Sequence, residues 1–125
     1  MNQATLFFFH DHMDALPIYE KLEEMMLSQI SNVKIKVQKS QITFANRRVF
    51  ACASFQPVRK ARNRPKIFLT VTFGLAYRKE SPRIDVATQP YPHRWTYHVT
   101  VGSPDEIDSL LLSWIREAAE FSATK

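Results

Sequence analysis

The chain has 125 residues, 45% of them hydrophobic and 23% charged, with a net charge of +5. This length fits one domain spanning residues 1–125, and an aromatic content of 12% excludes a chain disordered throughout. The single cysteine, Cys52, excludes an internal disulfide, and no stretch approaches the roughly 20 apolar residues of a membrane span.

In chain order, Thr5 to Phe9 is too apolar for a free tail. It is expected to pack as a lead-in to the first helix or as a short edge strand. The first helix is expected over about residues 15–30, with Asp14 as N-cap and Pro17 in the first turn, where its missing N–H costs little. Ile18, Tyr19, Leu22, Met25, Met26 and Ile30 fall at helical spacing, with Glu20, Glu23 and Glu24 on the other side.

The period then changes to two. Val33 to Lys39 alternates as a strand but places Lys39 where an apolar residue is due. Ile42 and Phe44 resume with opposite parity, so a turn or bulge is expected near Ser40. The next strands are expected over about residues 41–45, 48–55 and 66–77. "RVFACASF" is apolar on both sides and reads as central. The segments "ANRR" and "QPVRKARNRP" read as turns, and "ESPRIDVATQPYP" as a loop punctuated by prolines. A last strand over about 94–101 alternates Trp95, Tyr97, Val99 and Val101 against Thr96, His98 and Thr100.

The closing helix is expected over about 104–121. Ser103, Pro104 and Glu106 form a capping-box pattern, and Ile107, Leu110, Leu111, Trp114, Ile115, Ala118 and Phe121 form one apolar stripe. An unbroken run of strands between two helices predicts an α+β fold. Its antiparallel sheet has four to five strands, with the N-terminal and C-terminal helices packed on one face.

With these elements placed, the chain resembles the bacterial family known as domain of unknown function 5655. The segment Val37-Gln38-Lys39-Ser40-Gln41-Ile42-Thr43-Phe44 resembles its lysine-containing strand. Phe50-Ala51, a basic turn, the Leu69 strand, Ser81-Pro82-Arg83, then Arg94, Trp95 and His98, and a last helix with Trp114 and Ala118 follow in the family's order. The resemblance runs from about Tyr19 to Phe121. It implies a helix–sheet–helix fold and a recurrent Lys/Arg/His set, and it implies no reaction. Family members often have histidine where this chain has Tyr97, so no two-histidine site is implied.

The charge is unevenly distributed. Residues 34–94 hold fourteen Lys and Arg against two acids, Glu80 and Asp85, whereas the flanks hold three basic residues and ten acids. Cations crowded in this way repel one another unless an anion approaches, and a phosphate backbone is such an anion. Arg47, Arg48, Arg59, Lys60, Arg62, Arg64 and Lys66 are the candidate nucleic-acid contacts. Lys39, with the Ser40 hydroxyl beside it, is a candidate anion ligand at a strand end. The plain alternative is a lysine whose stem lies along the core and whose amine reaches water. Arg83, oriented by Pro82, and His98, on the face opposite Trp95 and Val99, complete the candidate anion set.

Enzyme chemistry has little support. Two glycines make no phosphate-cradling loop, and no nucleophile elbow or Cys/His pair is present. His10 and His12 sit at i, i+2 but read with Asp11 and Asp14 as a polar lead-in, so no metal and no cofactor are expected. The expected function is a binding module for an anionic partner, nucleic acid or a phosphorylated small molecule. The alternative is a protein–protein interaction or accessory domain without ligand chemistry, such as a homodimer. The lone thiol and the absence of a signal-like start predict a cytoplasmic, non-membrane setting.

Overall fold

The structure is a computed structural model that describes residues 2–124. Its elements are α1 (Gln3–Phe8), α2 (Leu16–Gln29), β1 (Lys34–Val37), β2 (Gln41–Ala45), β3 (Val49–Ser54), β4 (Leu69–Leu75), β5 (Val86–Tyr91), β6 (Arg94–Val101) and α3 (Ser109–Ala123). The described strands form one sheet of six in the order β1-β2-β3-β4-β6-β5, with every pair antiparallel. No described helix is long and apolar enough to cross a membrane.

The α+β class, the antiparallel sheet and the flanking helices agree with the sequence reading, and the strand count is one higher. The extra strand is β5, inside the stretch read as a loop. It lies at the sheet edge and its side chains are almost all exposed, so it carries no apolar alternation. Pro90 is tolerated because an edge strand need not donate every N–H. The hairpin to β6 closes through Pro92 and His93, with His93 at a φ of 62°.

Side-chain parity separates the two faces of the sheet. Ile42, Phe44, Ala51, Ala53, Leu69, Val71, Phe73, Tyr97, Val99 and Val101 share one face and are buried. Both long helices pack there, with Tyr19 of α2 stacked on Phe44 at 6.2 Å and Trp114 of α3 against Phe73 at 5.9 Å. Most of the apolar stripes read from the sequence bury, but in α3 Leu110 is exposed and Leu112 is buried in its place.

The caps differ from expectation. Asn2 caps α1, its Oδ1 accepting from the Thr5 N–H at 2.8 Å, so Thr5 to Phe8 is a helical lead-in and Phe9 is buried behind it. Asp14 is not the N-cap of α2. It sits in a 3-10 turn, Met13–Ala15, and Ala15 takes the cap position without a side-chain bond. The Ser103 capping box does not close either. Pro104–Glu106 forms a 3-10 turn, and the Glu106 carboxylate accepts from the Gly102 N–H at 2.6 Å. α3 starts later, where Asp108 accepts from the Leu111 N–H at 3.0 Å.

The far end of the other sheet face is roofed by residues 56–68. Thr70 is fully buried, and its hydroxyl donates to the Gln56 carbonyl at 2.7 Å. Pro65 lies so close to Gly102 that an added Cβ would stand 2.8 Å from Pro65 Cγ.

Candidate functional site

Lys39 occupies a tight turn. β1 ends at Val37, which pairs with Ile42 of β2, and the Gln38 N–H donates to the Gln41 carbonyl at 2.8 Å. Lys39 and Ser40 are therefore the two corner residues of a four-residue hairpin turn. The parity break has no buried lysine behind it, because both side chains are exposed. They border a cleft of about 450 Å³ whose other wall includes Phe7, His10, His12 and Phe55.

Arg83 lies in the helix layer. Its Nη1 donates to both carboxylate oxygens of Asp108 at 2.8 Å, and its Nη2 donates to the Glu106 carbonyl at 2.7 Å. Burial raises the affinity of the Asp108 carboxyl for a proton. The Leu111 N–H and the Arg83 guanidinium outweigh that effect and hold its pKa below the usual carboxylate value. This arginine fastens the loop before β5 to the N-terminus of α3.

His98 lies on the face away from α2 and α3. Register places Lys36, Thr43, Cys52, Thr72, His98 and Val86 in one transverse row across all six strands. The His98 Nδ1 is 2.8 Å from the Thr72 hydroxyl, and partial burial lowers its pKa below 6.5. It is therefore mostly neutral at pH 7 and offers hydrogen bonds, not a full charge. Burial pushes the Cys52 thiol up, against a bond to the Thr72 hydroxyl. That sets it apart from the low-pKa thiols of nucleophilic cysteines. Tyr97 points the opposite way into the core, donating to the Tyr77 carbonyl at 2.8 Å. A histidine at position 97 would not share the face of His98.

The expected anion set of Lys39, Ser40, Arg83 and His98 does not converge. β2 and β6 are three strands apart, which is roughly 14 Å at the usual strand spacing. Arg83 points into the helix layer and His98 to the other face. Lys39 and Ser40 alone stay together.

The basic loop is partly engaged. Arg59 Nε donates to Asp85 Oδ1 at 2.7 Å, and Asp85 Oδ2 accepts from the Thr100 N–H at 2.7 Å. Arg59 thus pins the loop to β6. The Arg64 guanidinium lies over the Phe68 ring at 5.2 Å. Lys60, Arg62 and Lys66 are exposed and form no ion pair among the described residues, and the same holds for Arg47 and Arg48 on the β2–β3 turn.

Sequence reasoning missed two groups. One is Lys34 and Lys36, exposed on the edge strand β1 with the parity of Thr43 and unpaired among the described residues. The alternation that named β1 as a strand was their signal. The other is the aromatic wall beside Lys39. Phe7 and Phe8 read as part of an apolar lead-in, and nothing in the sequence ties them to Phe55.

Fold and site together define a small α+β domain, an antiparallel sheet with helices on one face and a polar, threonine-lined surface on the other. The chain belongs to the family described as Domain of unknown function (DUF5655), whose model matches residues 7–122. No curated protein and no solved structure matches it.

Proposed function

We propose that this domain binds an anionic partner, nucleic acid or another phosphorylated ligand, through the uncovered sheet face and its basic rim. The observation that carries the reading is the state of the cations. Lys34, Lys36, Arg47, Arg48, Lys60, Arg62 and Lys66 are exposed without an ion pair among the described residues. By contrast, Lys79, Arg59 and Arg83 are paired with Glu117, Asp85 and Asp108.

The acids lie mostly outside the strands, in α2, α3 and the turns before them. The β2–β3 turn that carries Arg47 and Arg48 is bonded to the end of α3, with Asn46 Nδ2 donating to the Ala119 carbonyl at 2.7 Å and Ser122 Oγ to the Arg48 carbonyl at 2.9 Å. Thr72, Thr96 and His98 on the uncovered sheet face supply neutral hydrogen-bond groups suited to phosphate and sugar. A cytoplasmic setting accords with such a partner and with the single free thiol.

The test is fluorescence anisotropy with a labelled oligonucleotide at low and moderate salt. Binding that weakens steeply with salt supports the proposal. No binding to single- or double-stranded nucleic acid at low salt rejects its nucleic-acid branch. An absence of any thermal shift with phosphorylated small molecules rejects the rest.

A further inference from the structure

The cleft beside Lys39 differs from the rest of the surface. α1 and the residues after it bring Phe7, His10 and His12 to one wall, the β1–β2 turn brings Lys39 and Ser40 to another, and Phe55 follows β3. Its volume of about 450 Å³ is in the range of small-molecule sites. Phe7 is 80% exposed, an unusual position for a large apolar ring. Its ring is stacked on His10 at an interplanar angle of 15°. His12 stacks on Phe55 with centroids 4.0 Å apart, and Phe55 stacks on Phe8 at 5.3 Å.

A ligand with a flat ring and an anion would match both walls of this cleft. An anion without a ring would leave the Phe7 stack in water. An apolar ligand would leave Lys39 unmatched, since it forms no ion pair among the described residues. Asp11 is the one acid among the described lining residues and lies 3.8 Å from His10 Nε2. It repels a phosphate from the His10 side and favours its placement at Lys39 and Ser40.

We propose that the cleft binds a nucleotide, with its base stacked on the Phe7 ring and its phosphate held by Lys39 and the Ser40 hydroxyl. Every base has a π-face, so such a site is tolerant of base identity. The inference goes beyond the sheet-face reading, since none of the cations that carry that reading lines the cleft. The nucleotide can be free or one unit of a single strand, since both present the same base and phosphate.

The test titrates adenosine monophosphate, adenosine and inorganic phosphate separately into the full chain, followed by the ring-proton NMR signals of His10 and His12. Adenosine monophosphate is expected to shift both histidines and to bind more tightly than adenosine or phosphate alone. Phe7→Ala, at an exposed position where folding is not at risk, should weaken it about tenfold, the scale of one base–aromatic stack. Lys39→Gln should remove the preference for the nucleotide over the nucleoside.

A short oligothymidine that displaces adenosine monophosphate assigns the site to single strands, and one that does not assigns it to free nucleotides. Histidine signals that stay unmoved at millimolar adenosine monophosphate overturn the inference, as does an unchanged affinity in Phe7→Ala. Duplex DNA binding that depends on Lys34 and Lys36 and ignores Phe7 would leave the sheet-face reading standing when the cleft fails.

Discussion

Removing the Arg83–Asp108 contact separates a structural arginine from a ligand-binding one. Asp108 has two tasks, as N-cap of α3 and as partner of Arg83. Loss of an N-cap costs about 1 kcal/mol. The ion pair joins side chains that are 23% and 44% exposed, so solvent screening limits it to about 0.5–1 kcal/mol. Asp108→Ala should therefore cost about 1.5–2 kcal/mol. Arg83→Ala loses the pair and a charged hydrogen bond to the Glu106 carbonyl, about 1–2 kcal/mol after the same discount.

Urea unfolding of both single variants and the double variant measures these values. The double-mutant cycle should return a coupling of about 0.5–1 kcal/mol. The pH dependence has a fixed sign. The carboxyl pKa of Asp108 is lower in the folded protein than in the unfolded chain. Its contribution is thus complete above the unfolded value and fades as pH falls through the folded one. The stability gap between wild type and Asp108→Ala should narrow in acid. Single variants within about 0.3 kcal/mol of wild type, or about 0 coupling, would show that Arg83 and Asp108 do not fasten the loop to α3.

Two further predictions concern the sheet. Gly102→Ala should destabilise the fold by about 1–3 kcal/mol, the range for overpacking, because its Cβ meets Pro65; a thermal midpoint equal to wild type would contradict the close approach. The pKa of His98 is depressed by burial below its unfolded value near 6.5, so the stability it supplies is complete above pH 6.5 and is lost as pH falls through the folded pKa. Wild type should lose stability relative to His98→Gln across that window, and an NMR titration of the His98 ring with a midpoint at or above 6.5 would contradict it.

The parts of this protein that bury apolar surface were legible from the sequence. The α3 stripe from Leu111 to Ala118 and the alternation from Trp95 to Val101 were readable because the helix-facing side is apolar and the opposite side carries threonine and histidine. What escaped reading lacks such asymmetry. β5 is exposed almost throughout, so only its pairing with β6 reveals it. The Gln38–Gln41 turn, by contrast, was marked by the parity change from Val37 to Ile42, although it has no glycine or proline. The Ser103 pattern fits a capping box, but Gly102 takes the Glu106 carboxylate and a 3-10 turn takes up the residues before Asp108.

The candidate site was harder to read because its members are joined by the fold. Arg83 and Asp108 are 25 residues apart, and neither position signals the other. The cleft beside Lys39 draws Phe7 from the first helix and Phe55 from the end of the third strand. The charge distribution was visible, but which cations stay free depends on Glu80, Asp85, Asp108 and Glu117 each taking one.

The central claim is that free cations on the uncovered sheet side hold a phosphate-bearing partner. The most direct measurement is the affinity for a labelled single-stranded oligonucleotide as a function of salt, for wild type and for the Lys34→Gln/Lys36→Gln double variant. Each neutralised phosphate adds about 0.7 to the magnitude of the log–log slope for single strands. Wild type should show a steep negative slope, and the double variant a slope shallower by about 1.4. Salt-independent binding, or a double variant with the slope and affinity of wild type, would contradict that claim.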